Sequence, residues 1–207
     1  MMRLFIALAL PRSLRRSLER LQNMQHGIHG VRWVPPANMH LTLRFLGDTQ
    51  ESRLEDLHVA LERITAPAFE LTLRGAGEFS HGQDKQSLWI GAEPSPALSQ
   101  LHEKIETLVQ REDFPPDRRR FTPHITVARF GRSMRPIYIE QFIVGNALFT
   151  AGPETIPAFT LYRSYLGKRG ATYVPLAHYP LEGANPEDVD LLVQEAEEAA
   201  AAPPAWL

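Results

Sequence analysis

The tetrapeptides His40-Leu41-Thr42-Leu43 and His124-Ile125-Thr126-Val127 repeat one pattern 84 residues apart in a chain of 207. Successive side chains of an extended strand alternate between faces, so each string sends its histidine and threonine to one side and its aliphatic pair to the other. The aliphatic side needs a core. The polar side then presents an imidazole beside a hydroxyl. Two such strands brought together supply two proton-transfer groups and two hydroxyl donors around one small polar ligand, for which a phosphodiester is the natural candidate. With eight histidines and eleven threonines available, shuffling yields about 0.4 His-x-Thr triplets. A pair with matched apolar flanks therefore points to a shared role.

The 43% hydrophobic and 22% charged residues suit a soluble globular protein. The absence of cysteine excludes thiolate nucleophiles, thiolate zinc and disulfide scaffolds. No apolar run approaches the roughly 20 residues of a membrane span. The opening Met1–Leu10 has a charge followed by an apolar run, but Ala7 and Ala9 lie inside that run and Arg12, Arg15 and Arg16 follow directly, so a buried first strand is expected there instead of a targeting segment. Glu182–Leu207 holds seven acids and no lysine or arginine, which leaves residues 1–181 with 22 bases against 17 acids. That mild surplus is compatible with a phosphate-bearing ligand and far below the basic density of a duplex-binding protein.

Hydrophobic periodicity predicts strands at 3–10, 31–34, 39–45, 69–74, 87–90, 124–128, 158–166 and 172–179. It predicts helices after Pro11, over 54–64 and 96–110, and weakly over 134–144. Gly167-Lys168-Arg169-Gly170 suits a hairpin loop between the last two strands. The two halves run in similar order, with one motif strand each. The expected fold is α+β and bilobal, with pseudo-twofold antiparallel sheets sandwiched so that outer helices flank a central cleft carrying both motifs. Residues 1–183 form this unit, and residues 184–207 read as an acidic, Ala-rich, frayed tail.

Arg32-Trp33-Val34-Pro35-Pro36 ahead of the first motif, Phe45-Leu46-Gly47 after it, and Phe121-Thr122-Pro123-His124-Ile125-Thr126-Val127-Ala128-Arg129 at the second are similar to the 2H phosphoesterase superfamily. Within it the chain resembles the bacterial and archaeal RNA 2',3'-cyclic phosphodiesterase (2'-5' RNA ligase) family, from Arg3 to about Leu181. The resemblance implies metal-independent opening of an RNA 2',3'-cyclic phosphodiester to a 2'-phosphomonoester, with reversible 2'-5' ligation as the related reaction. It implies His40 as proton donor, His124 as proton acceptor, and Thr42 and Thr126 as phosphate-binding hydroxyls. No cofactor and no metal are expected. The expected partner is RNA with 2',3'-cyclic phosphate ends, tRNA fragments among them, handled by a cytoplasmic monomer. No Gly-x-x-x-x-Gly-Lys-Ser/Thr loop for ATP is present.

Further substrate contacts are each weighed against a structural role. Arg44 shares the strand parity of His40 and Thr42, so it either reaches phosphate or is a solvated strand end. Arg129 has the opposite parity and reaches the cleft only where the strand bends near Ala128. Arg120, with Arg118 and Arg119, either guides RNA or is a solvated basic run. Trp33, Phe45 and Tyr173 are either base-stacking platforms or core aromatics. His26 and His29 have a metal-like spacing but no acidic or thiolate neighbour, and His58, His81, His102 and His178 lack a partner motif. Two other functions fit the motifs: a phosphodiesterase acting on small cyclic nucleotides, ADP-ribose cyclic phosphate or 2'-5' oligoadenylate, and a noncatalytic RNA-binding module.

Overall fold

The computed structural model describes residues 1–79, 86–167 and 170–201. Strand β1 (Met2–Ala9) is apolar on both faces beyond the exposed Arg3 and runs through the sheet interior, as its sequence predicts. Helix α1 (Arg12–Asn23) buries Leu14, Leu18 and Leu21 on one stripe. Strand β2 (Val31–Trp33) and a short helical turn at Pro36–Asn38 lead into β3 (His40–Thr49), the first motif strand. Next come α2 (Leu54–Leu61), β4 (Phe69–Phe79), β5 (Gln86–Ala92) and α3 (Pro96–Arg111). Ser95 caps α3 by accepting from the Leu98 N–H, and Pro96 begins it. The second motif strand, β6 (His124–Phe130), precedes α4 (Pro136–Gly145), β7 (Thr150–Ile156), β8 (Ala158–Gly167), β9 (Gly170–Pro180) and α5 (Pro186–Ala201).

The nine strands among the described residues belong to one antiparallel sheet in the order β7-β4-β5-β6-β3-β1-β8-β9, with β2 alongside β6. Counted outward from the middle, the halves read β3-β1-β8-β9 and β6-β5-β4-β7, so each motif strand is the innermost of its half. The α+β class and the two-halved plan hold. The halves, however, join edge to edge within a continuous sheet and are not stacked as separate layers. The join is a single pair, Leu41 with Ile125. Helices cross between the halves: α1 leaves β1 and packs near β7, while α3 leaves β5 and packs on β3.

Three regions differ from the sequence reading. Strand β7 is missing from the predicted strands; it contains Gly152 and Pro153, which are tolerated because it is an edge strand. The tail is an ordered helix over most of its length, since Leu192 and Ala196 of α5 are buried against Ala9 and Ala158. The loop residues Lys168 and Arg169, His81, and the tail beyond 201 lie outside the described residues.

The third difference bears on the site. Both motif strands carry a β-bulge three residues after the histidine. Ile6 pairs with Arg44 and Ala7 with Thr42, leaving Leu43 extra. Leu88 pairs with Ala128 and Trp89 with Thr126, leaving Val127 extra. An extra residue inverts the alternation beyond it. Arg44 therefore leaves the motif face and is buried, 6% exposed, where its Nε meets Glu106 Oε2 at 2.5 Å and its guanidinium donates to the carbonyls of Phe45 and Pro115. The phosphate-contact reading of Arg44 is thereby corrected. Trp33, opposite Ala128, shares the buried face and packs toward Phe142, so it is a core residue and not a stacking platform. Phe45 and Arg129 are turned onto the motif face instead.

The Val127 bulge is held in place by its carbonyl, which accepts from the Val34 N–H at 2.9 Å and from Gln22 Nε2 at 2.9 Å. Arg44→Met removes the partner of a largely buried carboxylate together with two carbonyl bonds. We expect a loss of about 3 kcal/mol in urea denaturation, and a loss under about 0.5 kcal/mol would contradict this structural role.

Candidate active site

Around the Leu41–Ile125 pair, an antiparallel step of one residue sets His40 across from Thr126 and Thr42 across from His124. The four polar motif residues thus share one face, with each threonine facing the other strand's histidine. Strand spacing and rise put the two histidine Cα atoms on the order of 8 Å apart along the diagonal. That separation leaves room for a phosphorus centre between the imidazoles.

Both rings are held in the same way. His40 Nδ1 lies 2.8 Å from the Asn38 carbonyl, and His124 Nδ1 lies 2.7 Å from the Thr122 carbonyl. A carbonyl only accepts, so Nδ1 carries the proton in each ring and Nε2 is left for chemistry. Asn38 is itself fixed through its Nδ2, which donates to the Ala171 carbonyl of β9 at 2.8 Å.

The surroundings of the two rings differ. His40 packs against Phe5 at 4.9 Å and edge-on to Tyr173 at 5.0 Å, with Tyr162 stacked behind Phe5. His124 meets Phe79 edge-on at 4.8 Å and lies 6.0 Å from Trp89. The indole of Trp89 lies over Gly77, where a Cβ would come within 2.2 Å of the ring. Tyr173 and Phe45 therefore belong to the site's surroundings, Phe45 being 50% exposed beside Phe5. Phe5, Tyr162, Phe79 and Trp89 escape the sequence reading because, in apolar strands, a cleft aromatic looks like a core aromatic. Their only signal is register: Phe5 and Trp89 stand on strands next to the motifs, at the motif-facing parity.

Burial pushes the His40 imidazole down to about 4; its Nδ1 bond to Asn38 opposes this, while the charges of Arg129 and His124 add to it. His124 is lowered by the same principal cause, burial, opposed by its bond to Thr122 and reinforced by Arg129. Arg129 is thus close enough to act on both imidazoles, which its bulge explains. In the free protein, both rings are neutral at pH 7 beside a guanidinium, an environment suited to an anion.

The other sequence candidates lie elsewhere. Arg120 is exposed in the loop leading to β6 and has no ion-pair partner among the described residues, whereas Arg119 is engaged by Asp117 at 2.7 Å. His58 meets the Tyr179 hydroxyl at 2.9 Å, His178 meets the Thr160 hydroxyl at 2.9 Å, His102 stacks on Phe121 at 3.8 Å, and His29 lies edge-on to Tyr138. Among the described residues, no three histidines, aspartates or glutamates gather as a metal site, and no helix is long and apolar enough to cross a membrane.

Comparison with known proteins identifies the family. Residues 10–162 match the profile of the 2'-5' RNA ligase superfamily. The RNA 2',3'-cyclic phosphodiesterase of Thermus thermophilus is 32% identical over 191 residues, covering 88% of this chain and 91% of that protein. The protein of the same name from Archaeoglobus fulgidus is 28% identical over 179 residues, 84% of this chain and 98% of that one. The crystal structure of E. coli LigT complexed with 3'-AMP superposes with a TM-score of 0.72 at 27% identity, over 87% of this chain and 98% of that one.

Depressed histidine pKa values make stability pH-dependent. A group lowered from 6.5 to about 4 on folding binds its proton more tightly when unfolded, so its contribution is complete above pH 6.5 and is lost as pH falls through 4. We expect urea denaturation between pH 7 and 4 to show this loss, and His40→Asn to flatten it. In NMR titrations, Arg129→Met should raise both histidine midpoints, and Gln22→Leu, which loosens the bulge aiming Arg129, should do so partially.

Proposed function

From its membership of the 2'-5' RNA ligase superfamily, to which this chain belongs, we propose that the protein hydrolyses RNA 2',3'-cyclic phosphodiesters to 2'-phosphomonoesters by paired histidine acid–base catalysis without a metal. The observation that carries this reading is the diagonal of two His-Thr pairs whose imidazoles are anchored identically through Nδ1. In-line displacement at phosphorus needs a base on one side and an acid opposite, and two imidazoles on one face, each with Nδ1 engaged and Nε2 left for proton transfer, meet that need. The names of the relatives point to the same substrate class.

In the proposed cycle the cyclic phosphate docks between the imidazoles, with the Thr42 and Thr126 hydroxyls and Arg129 against its non-bridging oxygens. Neutral His124 takes a proton from water as the oxygen attacks phosphorus. The P–O3' bond breaks, and protonated His40 delivers its proton to the departing 3'-oxygen. The product is a 2'-phosphomonoester beside a free 3'-hydroxyl. With an RNA 5'-hydroxyl in place of water, the same displacement forms a 2'-5' linkage, a minor course in dilute solution, where water is in large excess. The terminal base stacks in this reading on half-exposed Phe45 and on Tyr173, both of which contact Phe5.

The free His40 imidazole, lowered to about 4, gains its proton most readily once the phosphate anion lies against it, since an adjacent negative charge stabilises imidazolium. The alkaline limb of kcat should therefore lie at higher pH than that of kcat/KM, which reports the free protein. Coincident limbs would argue against His40 as the acid.

The direct test incubates wild type, His40→Ala and His124→Ala with an RNA ending in 2',3'-cyclic phosphate, in chelator, and identifies the product. Wild type should form the 2'-phosphate, and each histidine variant should lose activity by at least about 100-fold. Thr42→Ala and Thr126→Ala should each cost about 1–3 kcal/mol of transition-state stabilisation. A 3'-phosphate product would reverse the assignment of leaving group, and inhibition by chelator would reject the metal-free route.

A further inference from the structure

Helix α5 begins beyond the stretch of resemblance, which ends near Leu181, and well past residue 162, where the family match stops. It nevertheless reaches the site. Ala9 stands directly opposite His40 in the β1–β3 register and so shares its face, on the side away from β6. Ala158 lies on the same face of β8, at the parity of Thr160, which pairs with Ala7. Leu192 and Ala196 of α5 are buried on this alanine floor. Leu192, Ala196 and Ala199 follow one another at i, i+4 and i+7, one stripe of the helix. The small side chains on both elements let helix and sheet approach closely. Arg15 of α1 latches the helix through a 2.7 Å ion pair with Glu195, and both side chains are largely shielded. Ala196 and Ala199 then line, with His40, Tyr162, Tyr173 and Arg15, a cavity of about 20 Å³, room for about one water molecule.

We propose that α5 is a positioning wall of the active site: its Leu192–Ala196–Ala199 stripe, latched by Arg15–Glu195, seals the flank of His40 away from His124 against bulk water. The inference rests on the reading of His40 as the proton donor for its functional meaning. The wall itself is a matter of packing. A flank with room for no more than about one water molecule keeps bulk water from competing for the His40 proton, which then leaves toward the substrate. It also accounts for part of the burial that depresses the imidazole. Among the described residues, the titratable and charged groups facing His40 are Arg129 and His124 from β6, Tyr162 from β8, Tyr173 from β9 and Arg15 from α1, with Glu195 of α5 behind Arg15 as its ion-pair partner.

The test uses the full-length chain without substrate, so it does not depend on the protein acting on RNA. Histidine midpoints are read by NMR, with His40 assigned through His40→Asn, and helix undocking is read by amide hydrogen exchange in α5. Glu195→Lys sets two cations against each other and should undock the helix. Replacing an anion by a cation near a docked His40 would by itself lower the midpoint, whereas opening the flank to water raises it. We expect a rise of about one pH unit with His124 nearly unmoved. Leu192→Asp, which sets a carboxylate on the alanine floor, should undock the helix by a different route and raise the His40 midpoint likewise. Loss of protection in α5 with an unchanged or lowered His40 midpoint, or equal shifts in both histidines, would overturn the proposal. Should either variant fail to fold, the other decides by the same two readouts. Wild-type α5 amides that exchange as fast as an unprotected chain would also overturn it.

Discussion

The pairing of Leu41 with Ile125 sets the geometry of everything else in the site. Both side chains are fully buried on the helix-covered face, and this makes the register expensive to change. A slip of one residue on either strand would turn a histidine and a threonine into the core and two aliphatic groups into solvent. Because the paired residues hold equivalent places in their motifs, the join lies at the centre of an approximate twofold. Its symmetry alone brings the imidazoles onto one diagonal and the hydroxyls onto the other.

The two bulges then break the chemical equivalence that this symmetry would impose. At matching positions, four and five residues after each histidine, one strand carries Arg44 and Phe45 and the other Ala128 and Arg129. The inverted alternation hides Arg44 beneath α3 and Ala128 in the core, and it exposes Phe45 on one side and Arg129 on the other. The face therefore carries Phe45 beyond one motif and Arg129 beyond the other. Neutral, largely buried imidazoles beside the Arg129 guanidinium make a site whose protonation responds to the arrival of an anion, because the anion offsets both the burial and the positive charge that keep protons away.

Much of this was legible in the chain. The alternation within each tetrapeptide depends only on local strand geometry, so the facing of His40, Thr42, His124 and Thr126 could be read directly. The leucine stripe of α1 could be read for the same reason. Strand β7 was not legible, because Gly152 and Pro153 resemble loop and only an edge position excuses them. Helix α5 was misjudged because its buried stripe is mostly alanine, which carries little hydrophobic signal yet allows close approach. The burial of Arg44 was not legible, and the choice between core and cleft for Trp33 stayed open, because a bulge leaves no mark in composition. It arises from how a strand meets its neighbours, here partly through Gln22, more than one hundred residues from the carbonyl it holds.

By itself the sequence determined which side chains could do proton transfer and anion binding, and that each motif would present them on one face, since these follow from residue chemistry and a period of two. Which strands became neighbours, where the alternation inverts, and what closes the flank of His40 were decided only by the tertiary structure. Each of those depends on long-range packing, in which residues distant along the chain compete for the same buried surface and the same backbone hydrogen bonds.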